Sequence, residues 1–184
     1  MSLTLTSIQA ACSAQASYES PLGTMLLART PKGLAGAWFM RQKDHPGALN
    51  APDRPDDPLL RRTVEHFTRY FENGHEIFDG PLDLLGTTFQ RAVWNALLEI
   101  APGRTCSYGD IARRVGLPQA VRAVGAAVGK NPLSVIVPCH RVIGSKGALT
   151  GYAGGLQRKT ALLALEQKAR PADSARPGLF EHAA

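Results

Sequence analysis

Cysteine is scarce in this chain, and the scarcity excludes several kinds of protein. Only Cys12, Cys106 and Cys139 occur in 184 residues. They are odd in number and far apart, which argues against a disulfide framework and fits free thiols in a reducing cytoplasm. No Cys-x-x-Cys occurs, so a structural zinc is not expected. Pro138-Cys139 opens like a zinc-deaminase signature, but that motif needs a second cysteine three residues on, and position 142 is valine. No Gly-x-Gly-x-x-Gly occurs either, so nothing points to a bound nucleotide or a methyl-donor cofactor. Gly125 to Asn131 has the outline of a phosphate loop, yet one spacer residue is missing and Asn131 stands where a Ser or Thr would hold Mg²⁺. The expectation is therefore no metal and no cofactor. Long apolar runs are absent too: none approaches the ~20 residues of a membrane span. Met1 to Gln15 carries no Lys or Arg and does not read as a secretory signal.

Acidic residues are scarce in one half only. Residues 1–84 hold 8 Lys/Arg and 10 Asp/Glu, a balance of −2, whereas residues 85–170 hold 12 and 3, a balance of +9. Residues 171–184 hold 1 and 2. Solubility alone does not explain such segregation. A half this basic points to a polyanion, most simply nucleic acid.

The chain divides at the same place. In the first half, the apolar runs Thr24–Arg29 and Leu34–Met40 flank Pro31-Lys32-Gly33 and read as a hairpin. Residues 44–57 are rich in Pro, Asp, Gly and Asn and read as a loop. Asp57-Pro58 opens a helix, as an N-cap followed by proline at the first position. Leu60, Val64, Phe67 and Phe71 give its buried stripe, Gly74 ends it, and an extended piece over 76–84 follows. His75-Glu76 reads as an exposed pair at a helix end. In the basic half, Phe89, Val93, Trp94, Leu97 and Leu98 mark an amphipathic helix. Ser107-Tyr108-Gly109-Asp110 reads as a capping box opening a short helix with Ile111, Ala112 and Val115 inside. Gly116-Leu117-Pro118 breaks it, and a third helix runs to about Gly129. Two helices split by a short glycine-containing turn form a helix-turn-helix pattern. The domains are read as 1–84, a small α+β unit, and 85–170, a mostly helical unit, with 171–184 a flexible tail.

Two features of the basic half carry chemistry. On the third helix Val121, Val124 and Val128 share one face at ~100° per residue. The face bearing Arg122 otherwise holds only Gly125, Ala126 and Gly129. A face that bare lets a backbone approach something closely and leaves one guanidinium as a probe; the alternative is tight helix packing through small residues. The second feature is Pro138-Cys139-His140-Arg141, after the apolar run 133–137. A thiol beside an imidazole is a candidate activated nucleophile. If the segment is extended, however, the two side chains point to opposite faces. On the dipeptide alone, a buried structural cysteine is the commoner reading.

Taken together, Tyr108-Gly-Asp-Ile-Ala, Arg122-Ala-Val-Gly, Asn131-Pro132, Val137-Pro-Cys-His-Arg-Val-Ile-Gly144 and Thr150-Gly-Tyr-Ala-Gly-Gly155 resemble the O6-alkylguanine-DNA alkyltransferases in order and spacing. The resemblance covers about residues 85–167; upstream it is looser, in the hairpin and the Ser20-Pro-Leu-Gly23 turn. It implies an α+β fold, with a small N-terminal ribonuclease H-like α/β domain and a winged helix-turn-helix domain. It implies a bacterial, cytoplasmic DNA-repair methyltransferase that moves a methyl or larger alkyl group from O6-alkylguanine, after nucleotide flipping, onto its own cysteine, once per molecule. O4-alkylthymine is a further substrate to consider. The implied partner is double-stranded DNA carrying O6-alkylguanine, with no membrane, and the protein a monomer. The zinc-binding four-cysteine domain of the family's adaptive-response regulators is absent. Cys139 would be the acceptor. His140 would act through a water as its base, oriented by Glu166, so that the thiol pKa is depressed, and Asn131 would brace the turn. Tyr108 would crowd the phosphate, help rotate the nucleotide out and donate to the guanine. Arg122 would enter the stack, with Gly125, Ala126 and Gly129 against DNA. Tyr152, Ala153, Gly154 and Val142 would shape the pocket. Ala153 replaces a hydroxyl residue that some relatives use near the guanine oxygen, so that contact must come from backbone. A cysteine hydrolase or a DNA-binding lesion sensor without efficient repair are the competing classes. Alkyltransferase-like proteins have lost the acceptor cysteine; this chain keeps it.

Overall fold

A computed structural model describes residues 5–168 of the chain. The elements run α1 (Leu5–Ala11), β1 (Ala14–Ser20), β2 (Gly23–Thr30), β3 (Gly33–Phe39), α2 (Pro58–Asn73), α3 (Thr88–Leu98), β4 (Cys106–Ser107), α4 (Tyr108–Arg114), α5 (Val121–Gly129), a 3₁₀ turn (Cys139–Arg141), β5 (Val142–Ile143) and α6 (Leu156–Lys168). The architecture is the expected α+β arrangement: a small antiparallel sheet first, a mostly helical part second. The expected tail, 171–184, lies outside the described residues.

The sheet has the order β1-β2-β3, antiparallel throughout. Every residue of β3 is buried, because both faces of the sheet are covered. Met25, Leu27, Ala37 and Phe39 join the main core with Leu60 and Phe67 of α2. Ala28 and Trp38 join a second cluster with Ile8, Leu49 and Ala51. Gly36 is required here, since a Cβ on it would lie 1.7 Å from the Trp38 indole. α2 starts as expected: the Asp57 carboxylate accepts from the Leu59 and Leu60 N–H groups, Pro58 is its first residue, and Gly74 closes it in the left-handed region. The bare edge of β3 would invite pairing with another strand. It is covered by two later segments instead. Leu34 pairs with 81–83, and Ala37 pairs with Leu133: the Ala37 N–H donates to the Pro132 carbonyl and the Ser134 N–H to the Ala37 carbonyl, each at 2.9 Å. The N-terminal sheet thus carries the segment that leads to Cys139.

In the helical part, α3 and α4 both open with capping boxes, Thr87 with Gln90 and Ser107 with Asp110. Trp94 of α3 donates its indole N–H to the Ala127 carbonyl at 2.9 Å and fixes α5 against α3. α4 and α5 form the helix-turn-helix. Several details depart from the pattern-based expectations. Leu98 is 42% and Val121 40% exposed: Leu98 lies ~100° round the helix from the buried Leu97, and Val121 is the first residue of α5. Residues 76–84 make no strand, only the single bridge of Leu82 to β3. α1 and β1 were not foreseen; β1 alternates Ala, Ser and Tyr with polar residues and has no bulky apolar stripe to betray it.

Candidate active site

The segment joining α5 to the 3₁₀ turn is built around Asn131. Its amide N–H groups donate to the carbonyls of Val137 (2.8 Å) and Leu133 (3.3 Å), and its Oδ1 accepts from the Leu133 N–H at 2.9 Å. The Val135 backbone sits at φ 73°, a left-handed conformation unfavourable for a β-branched residue. Such a conformation persists only where its surroundings over-determine it, and here the Asn131 bonds and the β3 edge do so. The Asn131 amide also lies 3.1 Å from Cys139 Sγ and donates to it. Contrary to an extended Cys139-His140, the two residues occupy a tight turn.

His140 is fully buried and points away from solvent toward α6, where its Nε2 lies 2.8 Å from Glu166 Oε1. Glu166 is a hub. Its carboxylate also accepts from Tyr70 Oη (2.7 Å), the Gly103 N–H (2.9 Å), and Nε and Nη2 of Arg141 (2.8–3.1 Å). Burial alone would raise its pKa. The hydrogen bonds from His140 and Arg141, with the charge of Arg141, overcome this and hold it down at about 2. Glu166 is therefore anionic, and the His140 nitrogen facing it carries the proton. The opposite nitrogen, Nδ1, is then an unprotonated acceptor, buried and without a protein partner. Burial lowers the His140 pKa, against the pull of Glu166, so the imidazole is neutral at neutral pH.

The thiol overturns the expectation of a depressed pKa. Burial pushes it up, and the Asn131 amide, the Lys159 charge and the backbone N–H groups of Cys139 and His140 offset that only in part. An imidazolium partner, the premise of the expectation, is absent because burial keeps His140 neutral. The resting site holds a neutral thiol and a neutral imidazole, not an ion pair.

Cys139 opens onto a cavity of about 420 Å³, in the range of small-molecule sites, ~300–1,000 Å³. Tyr108, Gly125, Ala126, Gly129, Tyr152 and Ala153 line it, with Lys43, Asp44, Val128, Lys130 and Gly151. The bare face of α5 is thus one wall. Tyr108 Oη lies within donating distance of the Thr150 and Gly151 carbonyls, at 3.3 and 3.4 Å. Val142 and Gly154 do not line the cavity. The Val142 carbonyl accepts from Lys159, the Gly154 carbonyl accepts from Arg158, and Gly154 packs so closely on the Tyr152 ring that a Cβ would lie 2.6 Å from it. Arg122 stands exposed near the start of α5, outside the cavity. The Ala153 carbonyl accepts from the Lys43 N–H at 3.0 Å.

Sequence reading missed Tyr70 and Lys159, and it gave Arg141 no role of its own. Lys159 is fully buried, and its ammonium donates to the carbonyls of Val142, Thr150 and Gly151, tying the pocket loop to the strand after Cys139. The shared i, i+7 spacing of Lys159 and Glu166 on α6 was the available signal. No cluster of three or more His, Cys, Asp or Glu side chains able to hold a metal occurs among the described residues, and no helix among them is long and apolar enough to cross a membrane.

A buried cysteine on a cavity walled by a helix of a helix-turn-helix, next in sequence to a buried histidine paired with a glutamate, marks a candidate cysteine site on a DNA-binding type of scaffold. Comparison with known proteins agrees. Residues 14–84 match the ribonuclease-like domain of 6-O-methylguanine DNA methyltransferase, and residues 88–168 match its DNA-binding domain. A methylated-DNA–protein-cysteine methyltransferase of Mycobacterium tuberculosis is 46% identical over 155 residues, 84% of this chain and 93% of that protein. An inducible one from Bacillus subtilis is 53% identical over 128 residues, 70% of each chain. The crystal structure of the M. tuberculosis O6-methylguanine methyltransferase, 44% identical, superposes with a TM-score of 0.77 over 87% of this chain and 96% of that one. A structure of the M. tuberculosis protein in complex with DNA, 43% identical, gives 0.76 over 87% and 96%. The chain belongs to the 6-O-methylguanine DNA methyltransferase family.

Glu166→Gln would leave Arg141 buried without its counter-charge, at an expected cost of about 3–5 kcal/mol in urea unfolding at pH 7. Because the folded carboxyl titrates near 2 rather than 4.5, its stabilisation is complete above pH 4.5 and is lost as pH falls toward 2. The gap between wild type and variant should narrow over that window; a gap that is absent at pH 7, or constant with pH, contradicts the hub.

Proposed function

We propose that the protein repairs double-stranded DNA by taking the alkyl group of O6-alkylguanine onto Cys139, once per molecule. The observation that carries this reading is the placement of the Cys139 sulfur on a cavity whose wall is the bare face of α5. An alkyl group on a stacked base is out of reach, so the nucleotide must be rotated out, at a cost of a few kcal/mol. A helix presenting Gly125, Ala126 and Gly129 can approach the DNA backbone closely, and the exposed Arg122 can occupy the space the base leaves. The basic half supplies the phosphate attraction.

The chemistry follows from the neutral resting pair. A water relays the thiol proton to Nδ1 of His140, and the anionic Glu166 stabilises the imidazolium that forms. The Lys159 charge and the Asn131 amide favour the thiolate as it develops. Sulfur attacks the alkyl carbon, the carbon–O6 bond breaks, and its electron pair returns to the guanine, which takes a proton from the Tyr108 phenol. The proton on His140 then restores the phenol through solvent. The balance is thiol plus O6-alkylguanine giving thioether plus guanine. A thioether is not readily hydrolysed, and no donor or regenerating group takes part, so one molecule accepts one group.

Intact-mass and peptide mapping after incubation with duplex DNA carrying O6-methylguanine should find one added methyl, on Cys139. A methyl on Cys12 or Cys106, many lesions repaired per molecule, or tight lesion binding with no transfer would each contradict the reading. The last outcome would make the protein a lesion sensor.

Arg122→Ala is expected to slow repair in duplex DNA by about tenfold or more, the scale of a few kcal/mol of unstacking left unsupported. Attack on free O6-benzylguanine should be nearly unchanged. Equal losses on both substrates would remove Arg122 from extrusion.

A further inference from the structure

We propose that Tyr70, on α2 of the N-terminal unit, is a positioning residue for the proton transfer: by sharing one oxygen of Glu166 with His140, it sets how strongly His140 holds a proton. This rests on the assignment of Cys139 as acceptor and His140 as its base, and it gives the N-terminal unit a part in the reaction.

The two oxygens of Glu166 are used unequally. Oε2 accepts from the Gly103 N–H at 2.9 Å and from Arg141 Nε at 3.0 Å. Oε1 accepts from Tyr70 Oη at 2.7 Å, from His140 Nε2 at 2.8 Å and from Arg141 Nη2 at 2.8 Å. A carboxylate oxygen offers about two lone-pair sites, so three close donors compete for Oε1. Arg141 is tied down by its further bond to the Ile100 carbonyl. The competition is therefore chiefly between Tyr70 and His140.

Tyr70 is 1% exposed. Its ring stacks on His66, with centroids 6.4 Å apart, and meets Phe71 edge-on at 5.4 Å, so the hydroxyl is aimed by packing. Burial, and after it the Glu166 charge, holds the phenol well above its ordinary pKa, and it stays a donor. The proton it gives to Oε1 draws negative charge from the oxygen that His140 relies on when the imidazolium forms. With the hydroxyl gone, that charge is left to His140. Its Nε2–H bond tightens, the imidazolium is better stabilised, and His140 takes a proton at higher pH. Tyr70 thus keeps His140 free of a proton until the thiol supplies one.

His140 is faced by Glu166 and Lys159 of α6, by Arg141 and Cys139 of its own turn, and by Tyr152 of the pocket loop. Tyr70 is faced by Glu166, Arg141, Tyr152 and, on its own helix, His66. Glu166 is held at about 2 and His66 is lowered by burial to about 4. Burial raises Cys139 and Tyr152 above their ordinary values. These four titrate outside the range from pH 5.5 to 8.

The test is nitrogen-15 and proton NMR of His140 in the full-length wild type and in Tyr70→Phe over that range. Beside it, single-turnover methyl transfer from duplex O6-methylguanine is followed at the same pH values. In Tyr70→Phe the His140 Nε2 proton should move downfield at pH 8. The His140 titration should rise by about one pH unit, the scale of one hydrogen bond to a charged group. The acid limb of the rate profile should rise with it, while at pH 8 the variant should be no slower than wild type. Where both titrations fall below pH 5.5, the Nε2 proton decides. Should Tyr70→Phe fail to fold, 3-fluorotyrosine at position 70, a more acidic phenol and a stronger donor, must move the readings the other way. An Nε2 proton that stays or moves upfield in Tyr70→Phe, a His140 titration that is lowered, or a rate lost equally at every pH would overturn the proposal. Those results with a wild type that methylates Cys139 would leave the acceptor standing. A wild type that transfers no methyl would end the proposed function, and with it any part of Tyr70 in the transfer.

Discussion

A carboxylate taken out of water is costly unless nearly all its lone pairs are met, and Glu166 is met by four residues from three other parts of the chain. Tyr70 comes from α2, the Gly103 N–H from the turn after α3, and His140 and Arg141 from the 3₁₀ turn, while Glu166 itself stands on α6. Removing any one donor leaves the charge under-served, so the elements are held together by mutual need. Arg141 further donates to the Ile100 carbonyl at the end of α3. The geometry around Cys139 follows from this anchor, because the tight turn that carries the cysteine also carries two of the donors.

The second constraint is the covered edge of β3. The segment carrying Cys139 leaves α5, pairs with Ala37 through 132–134, and passes Val135 in its strained conformation before reaching Pro138. A sheet that takes no part in the chemistry thereby sets where Asn131 and Cys139 meet. Together the two constraints bury a Cys139 thiol that is protonated at rest. A buried thiol with a raised pKa reacts slowly with small oxidants and electrophiles, since the thiolate is the reactive form. On the proposed reading, that suits an acceptor usable only once, and it leaves activation to the moment when a substrate carbon lies against the sulfur and a neutral imidazole can take the proton.

Much of this was legible in the sequence, for identifiable reasons. Asp57-Pro58, Gly74 and the Ser107–Asp110 box are local chemistry, written within a few residues of where it acts, and each forms as expected. The bare face of α5 follows from helical period alone. The association of Cys139 with His140, Glu166 and Asn131 needed the family resemblance, because 27 positions separate Cys139 from Glu166 and no period connects them. Tyr70, Arg141 and Lys159 were given no role because a buried charged or phenolic side chain looks in sequence like a solvated one; for Lys159 only its shared helical face with Glu166 hinted otherwise. The thiol pKa was misjudged for a related reason. Neighbouring residue types suggest charge stabilisation, whereas burial, which a sequence does not display, decides the sign. Leu98 and Val121 were misplaced because an apolar stripe does not announce how wide a face the core covers or where along a helix it begins.

The central claim is that an anionic Glu166 holds His140 as a neutral, Nε2-protonated imidazole beside a Cys139 thiol. Nitrogen-15 NMR of the histidine side chains in the full-length protein, from pH 5.5 to 8, tests it directly. The account predicts for His140 a protonated Nε2 and an unprotonated Nδ1 throughout the upper part of that range, with titration, if reached at all, below the ordinary value near 6.5. An imidazolium signal for His140 at pH 7, or one that disappears when Cys139 is changed to Ser, would show an ion pair at rest and contradict it.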